Sequence, residues 1–190
     1  DPEYGESPDA QFYRTESNFN LDLNNDGRIG APPKEYTTIE SEGNISLVKD
    51  QDNYGYALDA QGNTTAITYW GGEQASFDRW GDDWKLLAAE NIDGVNSVLW
   101  RVVNSFDDGP QSGPDSYWLS LHDDNWAYSR DGDAGWPGDP EYGESPNAQF
   151  YRTESNFNLD LNNDGRIGAP EAPSNKPPVL TGDQYTFPTL

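Results

Sequence analysis

The nonapeptide DLNNDGRIG occurs twice, at residues 22–30 and 160–168. Its oxygen donors are spaced for a hard cation. Calcium takes six to eight oxygens at about 2.3–2.6 Å, and a twelve-residue loop supplies them from side chains at positions 1, 3 and 5 and from the backbone carbonyl at position 7. Asp22, Asn24 and Asp26 fill the first three places, and Arg28 offers its carbonyl whatever its side chain; Asp160, Asn162, Asp164 and Arg166 repeat the set. Gly27 and Gly165 stand at position 6, where the chain must turn sharply. Position 12 separates the copies, being Glu171 in the second and Pro33, which has no carboxylate, in the first. Glu16 and Glu154 lie six residues before each loop. They either fold back as further ligands or cap and solvate the preceding helix, and the spacing leaves both open. Ile29, at position 8, is expected to pack inward beneath its loop. The implied cofactor is Ca2+.

A short helix must deliver each loop. Ser7-Pro8-Asp9 reads as a helix start, with serine as N-cap and proline at the first helical position. Phe12, Glu16 and Phe19 then fall near one helical face. These residues belong to a longer repeat: residues 1–32 and 139–170 are the same except at Asp9/Asn147, with an offset of 138 residues. An offset of that size is a domain rather than a solenoid rung. The expected organisation is therefore a calcium-loop segment at 1–32 (the tail of a preceding module), a tryptophan-rich β domain at 33–138, a second calcium-loop segment at 139–170, and a linker with a partial strand at 171–190. Asp1 is not a natural start, so the chain reads as a piece of a longer array.

Between the repeats the pattern is that of short strands: Ile45–Lys49, Tyr54–Leu58, Thr65–Trp70, Leu86–Glu90, Ser97–Val103, Ser116–Leu121 and Trp126–Ser129. Turn signals such as Asp52-Asn53, Gln61-Gly62-Asn63, Asp93-Gly94 and Asp123-Asp124-Asn125 separate them. This predicts a mainly β fold, with an antiparallel sheet, sandwich or small barrel and short helix–calcium-loop segments at both ends. A weak twofold echo pairs ISLVKDQDNYGYAL with KLLAAENIDGVNSVLW and ITYWGGEQASF with LSLHDDNWAYS, consistent with two copies of a three- or four-stranded unit.

The formal charge of −23, from 34 acidic and 11 basic residues, repels phosphates and anionic lipids and so argues against nucleic-acid and membrane-surface partners. No stretch reaches the roughly 20 apolar residues of a membrane span. With no cysteine, disulfides cannot staple the loops. Catalysis has little support. Acidic pairs such as Glu73/Asp78 or Asp123/Asp124 arise by chance among so many acids, and His122, the only histidine, reads as a turn residue. We expect no enzyme. Of the seven tryptophans, those in VLW (98–100) and YWLS (117–120) read as core, whereas Trp80, Trp84 and Trp136 sit among glycine and aspartate and are the candidates for a glycan-stacking surface.

The stretches TTIESEGNISLVKD (37–50), WKLLAAENIDGVNSVLWRV (84–102), YWLSLHDDNWAYS (117–129) and ESNFNLDLNNDGRIG (154–168) together resemble the tryptophan-rich domain of calcium-binding surface proteins of cyanobacteria and other aquatic bacteria. The loops are similar to EF-hand and dockerin loops, but a dockerin sets its two loops close together. The tail NKPPVLTGDQYTF is similar to the opening of a cadherin-like repeat of bacterial adhesins. The resemblance implies an extracellular or cell-surface location. The expected function is that of a calcium-binding structural or adhesive module, partnered by neighbouring copies of itself and assembling head to tail into filaments. The alternative is a carbohydrate-binding module, with surface glycans as partners and structural calcium.

Overall fold

The computed structural model describes residues 8–79, 81, 83–103, 115–139 and 142–171. Its elements are α1 (Pro8–Phe19), β1 (Tyr36–Glu40), β2 (Ser46–Asp50), β3 (Gly55–Leu58), β4 (Thr64–Ala66), β5 (Trp84–Ile92), β6 (Val95–Val102), β7 (Ser116–His122), β8 (Tyr128–Asp131) and α2 (Ala148–Phe157). The fold is mainly β, as expected. The strands form two four-stranded antiparallel meanders, β1-β2-β3-β4 and β5-β6-β7-β8, and not one closed barrel. The linker and tail at 172–190, with their expected strand, lie outside the described residues.

Side-chain chemistry at the turns accounts for the meanders. In three hairpins an aspartate opens a three-residue loop: Asp50, Asp59 and Asp123. The carbonyl of each accepts the N–H of the residue three on, at 3.1, 3.0 and 3.0 Å. That third residue (Asn53, Gly62, Trp126) has positive φ. This is a type I turn followed by a left-handed residue, a favoured hairpin connection. Oδ1 of each aspartate also accepts the N–H groups two and four residues on, at 2.8–3.0 Å. These three aspartates therefore staple their turns. The β5–β6 turn is tighter, with Asp93 and Gly94 both at positive φ, as a two-residue hairpin requires.

Two sequence expectations change. β1 was not among the expected strands because Tyr36, Thr37, Thr38 and Ile39 remain exposed and show no buried alternation; pairing with β2 through Thr38↔Val48 forms it. The segment Thr65–Trp70 is not one strand. β4 ends at Ala66, and residues 67–77 turn into a further hairpin with an isolated bridge at Thr68↔Gln74. The two units are real, but strand order aligns β1–β2 with β5–β6, one strand away from the echo. Glu40 pairs with Leu47 and Glu90 with Ser97, each seven residues on, and the Asp59 and Asp123 turns then correspond.

The second sheet is covered on both faces. Leu86, Ala89, Val98 and Trp100 pack with Leu47, Ala57, Ile67 and Tyr69 of the first unit. On the reverse face, Ala88 and Leu99 pack with Phe150, Phe157 and Leu161 of α2 and its loop. Burial on both faces explains why VLW (98–100) in β6 is continuously apolar instead of alternating. Helix α1 joins neither core.

Candidate metal centres

Each DLNNDGRIG loop follows its helix through an asparagine in the left-handed region, Asn20 or Asn158. In α2 the Asn158 N–H closes onto the Glu154 carbonyl. The start of α2 departs from expectation: Asn147, not the serine before the proline, is the N-cap, and its Oδ1 accepts the Phe150 N–H at 2.8 Å. An asparagine oxygen reaches the third helical N–H directly, which makes it one of the best caps. Ser7, the corresponding expectation in the first copy, lies outside the described residues.

The loop oxygens gather around their own backbone. In the second copy Asp160 Oδ1 and Asn162 Oδ1 accept the Asp164 N–H at 3.1 and 3.0 Å; Asp160 Oδ2 accepts from Gly165 at 2.9 Å and Asp164 Oδ1 from Arg166 at 2.9 Å. Asp22, Asn24 and Asp26 repeat the pattern at 2.8–3.2 Å. Gly27 and Gly165 take φ of +84°, the sharp turn that position 6 demands. The donor set is all oxygen and suits calcium or another hard cation. An accepted N–H leaves each carboxylate oxygen a further lone pair for an ion. Each loop brings two carboxylates and one amide together, and among the described residues no group of three or more His, Cys, Asp or Glu side chains converges. Glu171, at position 12 of the second loop, is exposed.

Glu16 and Glu154 neither cap nor solvate their helices. Both are fully buried. Oε1 of Glu154 accepts the N–H groups of Leu161 and Asn162 at 3.0 and 3.3 Å, and Oε2 accepts that of Gly168 at 3.0 Å. Glu16 holds Leu23, Asn24 and Gly30 at 3.0, 3.3 and 3.1 Å. One carboxylate thus pins both ends of the loop to the helix. Burial pushes the Glu154 carboxyl above the usual carboxylate range, against the pull of its three amide donors. The tight return also needs glycine, since a Cβ at Gly168 would lie 2.5 Å from Ser155 Oγ. Ile29 does not pack inward beneath its loop: it and its counterpart Ile167 are exposed, contrary to expectation. The sequence carried a signal for the clamp, a glutamate on the apolar Phe12–Phe19 face, where a buried charge must find donors.

Trp80 lies outside the described residues. Trp84 is half-buried, edge-on to Trp118 at 5.6 Å between centroids. Trp136 is exposed elsewhere, its Nε1 donating to Glu144 at 3.1 Å. Trp70, at the end of the expected strand Thr65–Trp70, is 74% exposed, and with Tyr69, Trp84 and Trp118 it lines an apolar cleft of about 270 Å³.

Two other buried groups were not legible in the sequence. His122 is a core residue instead of a turn residue. Its Nδ1 lies 3.0 Å from the Trp126 carbonyl and its Nε2 2.9 Å from Ser120 Oγ, which also accepts from Trp100 Nε1. A carbonyl can only accept, so the proton sits on Nδ1; burial lowers the pKa of this ring. Glu40 and Glu90, the equivalent residues of the two units, are buried beside the loop 41–44, accepting from the Glu42 and Asn44 N–H groups respectively. Burial raises both carboxyls, and repulsion from Glu40 adds to the shift of Glu90.

No curated protein and no solved structure matches the chain. The family model described as the tryptophan-rich Synechocystis species C-terminal domain matches residues 45–168. That span takes in β2 to β8, α2 and the second loop, and leaves α1 and the first loop outside. With the larger part of its length matched, the chain belongs to the family of the tryptophan-rich Synechocystis species C-terminal domain.

Proposed function

We propose that the chain is a calcium-binding structural module of a repetitive, secreted bacterial surface or matrix protein, in which each DLNNDGRIG loop holds one Ca2+ ion. The observation that carries this reading is the gathering of Asp160, Asn162 and Asp164 oxygens over a backbone that Glu154 has already fixed, and its repetition at Asp22, Asn24 and Asp26. Arg28 and Arg166 add a backbone carbonyl, and Glu171 supplies a further carboxylate where the second loop draws it in. An ion would relieve the repulsion between the two carboxylates of each loop and lock the helix–loop angle. In this reading the module works by holding its neighbours at a fixed angle outside the cell, and it catalyses no reaction.

Calorimetric titration of the metal-free chain with Ca2+ tests it. Two sites are expected in the full chain and one after Asp160→Ala. An absence of heat, or a melting temperature unchanged by chelation, would sink the reading. A second reading, a carbohydrate-binding module with structural calcium, is favoured by the cleft of Tyr69, Trp70, Trp84 and Trp118, because bare aromatic faces suit sugar rings. Binding of a polysaccharide panel that Trp70→Ala abolishes would bring this reading to the front.

A further inference from the structure

We infer that the apolar face of α1 and its loop is a docking face for a second copy of this module, and that its seat there is the surface on β5–β7 that α2 occupies in this chain. The inference deepens the structural-module reading and rests on it. The chain contains its own control. Phe150, Phe157 and Leu161 are 0%, 1% and 9% exposed, while the same residues one repeat earlier, Phe12, Phe19 and Leu23, are 38%, 69% and 45% exposed. The two segments share their helix, loop, asparagine cap and glutamate clamp, so the difference lies in what covers them.

What covers the second copy is specific. Phe150 and Phe157 sit on Ala88 and Leu99. Tyr117 stacks its ring 5.7 Å from that of Phe150 and donates its hydroxyl to the Leu161 carbonyl at 2.7 Å. Gln149 donates to the Asp133 carbonyl at 2.9 Å. Gly135 lies so close to α2 that a Cβ there would come within 2.1 Å of the Phe150 nitrogen. Every side chain with which α2 meets this seat is present in α1, Gln11 included. The one difference between the repeats is Asp9 for Asn147, the N-cap of α2; Asn147 meets the seat through its backbone N–H, which donates to the Trp136 carbonyl at 2.9 Å and which an aspartate also has. A seat of this form is built by β5–β7 and residues 132–137, so a second copy supplies it and a generic apolar surface does not. In this chain α2 fills the seat, and in a second copy its own α2 does the same, so α1 docks there by exchanging with that copy's α2, which presents the same face. α1 precedes the first sheet and α2 follows the second, so seating α1 on another copy joins unlike ends. Such a heterologous contact repeats along a line.

The chain with Phe150→Ala and Phe157→Ala keeps its seat but weakens the helix that fills it. Sedimentation of this full-length variant over a range of concentrations, in calcium and in chelator, tests the inference. We expect concentration-dependent association. Adding Phe12→Ala and Phe19→Ala should weaken it on the order of a hundredfold or more, since buried aromatic anchors dominate such contacts. The quadruple variant exposes the same seat, so association that persists in it is non-specific and overturns the inference, as does a monomeric double variant. If the double variant loses the near-ultraviolet signal of its buried tryptophans, Phe157→Leu alone takes its place in the same two arms. Docking in chelator with no calcium heat would defeat the calcium reading and leave the docking intact; calcium heat without association depending on Phe12 and Phe19 would do the reverse.

Discussion

Residues 8–30 and 146–168 place one sequence in two settings. In both, a helix of similar length ends at a left-handed asparagine, a buried glutamate grips three loop amides, and the aspartates turn inward at closely similar distances. The local fold is therefore written locally and survives with or without a partner surface. The burial of its phenylalanines is not, because only the second copy meets the sheet. A helix of this length is marginal on propensity alone, which gives the glutamate clamp a large share in holding the free copy together.

The sharpest way to separate the two settings is to remove the same ring from each. Phe150→Ala should cost about 3–5 kcal/mol in denaturant unfolding, the usual range for a fully buried phenylalanine. Phe12→Ala, in the free copy, should fall within about 0.5 kcal/mol, as a surface change does. Equal costs would mean that α1 is packed in solution.

The clamp should matter in both copies but be read differently. Glu154→Ala strands three amides beside a shared core and is expected to cost about 3 kcal/mol of global stability. Glu16→Ala should leave the main unfolding transition in place while amide exchange at Leu23, Asn24 and Gly30 accelerates to near the unstructured rate. If those amides stay protected, something other than the carboxylate holds the loop.

A pH series separates charge from shape. The Glu154 carboxyl is raised in the fold, so its contribution is fully present below the unfolded value of about 4.3 and is lost as pH rises through the folded value. Glu154→Gln is uncharged at every pH and cannot accept all three amides. Its stability deficit relative to the natural chain should therefore be larger near pH 4 than at pH 7. A gap that widens with pH would contradict the assigned direction.

The smallest expected effect concerns the cap. Asn147→Ala removes the oxygen that holds the Phe150 N–H and should cost about 1 kcal/mol. Asn147→Asp, which makes the second copy match the first, should be nearly neutral, since both residues cap well.

Much of this architecture was legible in advance because its causes are short-range. The sharp turn at the sixth loop position, the helix before each loop and most hairpin turns depend on residues a few positions apart, and there the sequence reading and the fold agree. The readings that changed share another cause. β1 has no buried face and exists only through pairing with β2, so no periodicity announced it. The N-cap of α2 moved to Asn147 through a choice between adjacent candidates. His122 left its expected turn for the core, because a histidine beside aspartates is exposed or buried according to which strand the next hairpin lies against. The twofold echo slipped by one strand because residues 67–77 add a hairpin between the units.

The sequence by itself determined that this chain is mainly β, that aspartate turns articulate it, and that two copies of an oxygen-rich loop follow two short helices. Each of these follows from hydrogen bonds and backbone preferences within a few residues. Only the tertiary structure decided that the strands divide into two meanders, that the second sheet is buried on both faces, and that Glu16 and Glu154 turn from helix surface to loop clamp. It alone decided that one copy of the repeat is seated and the other bare, because the partner surface comes from β5–β7, outside the repeat.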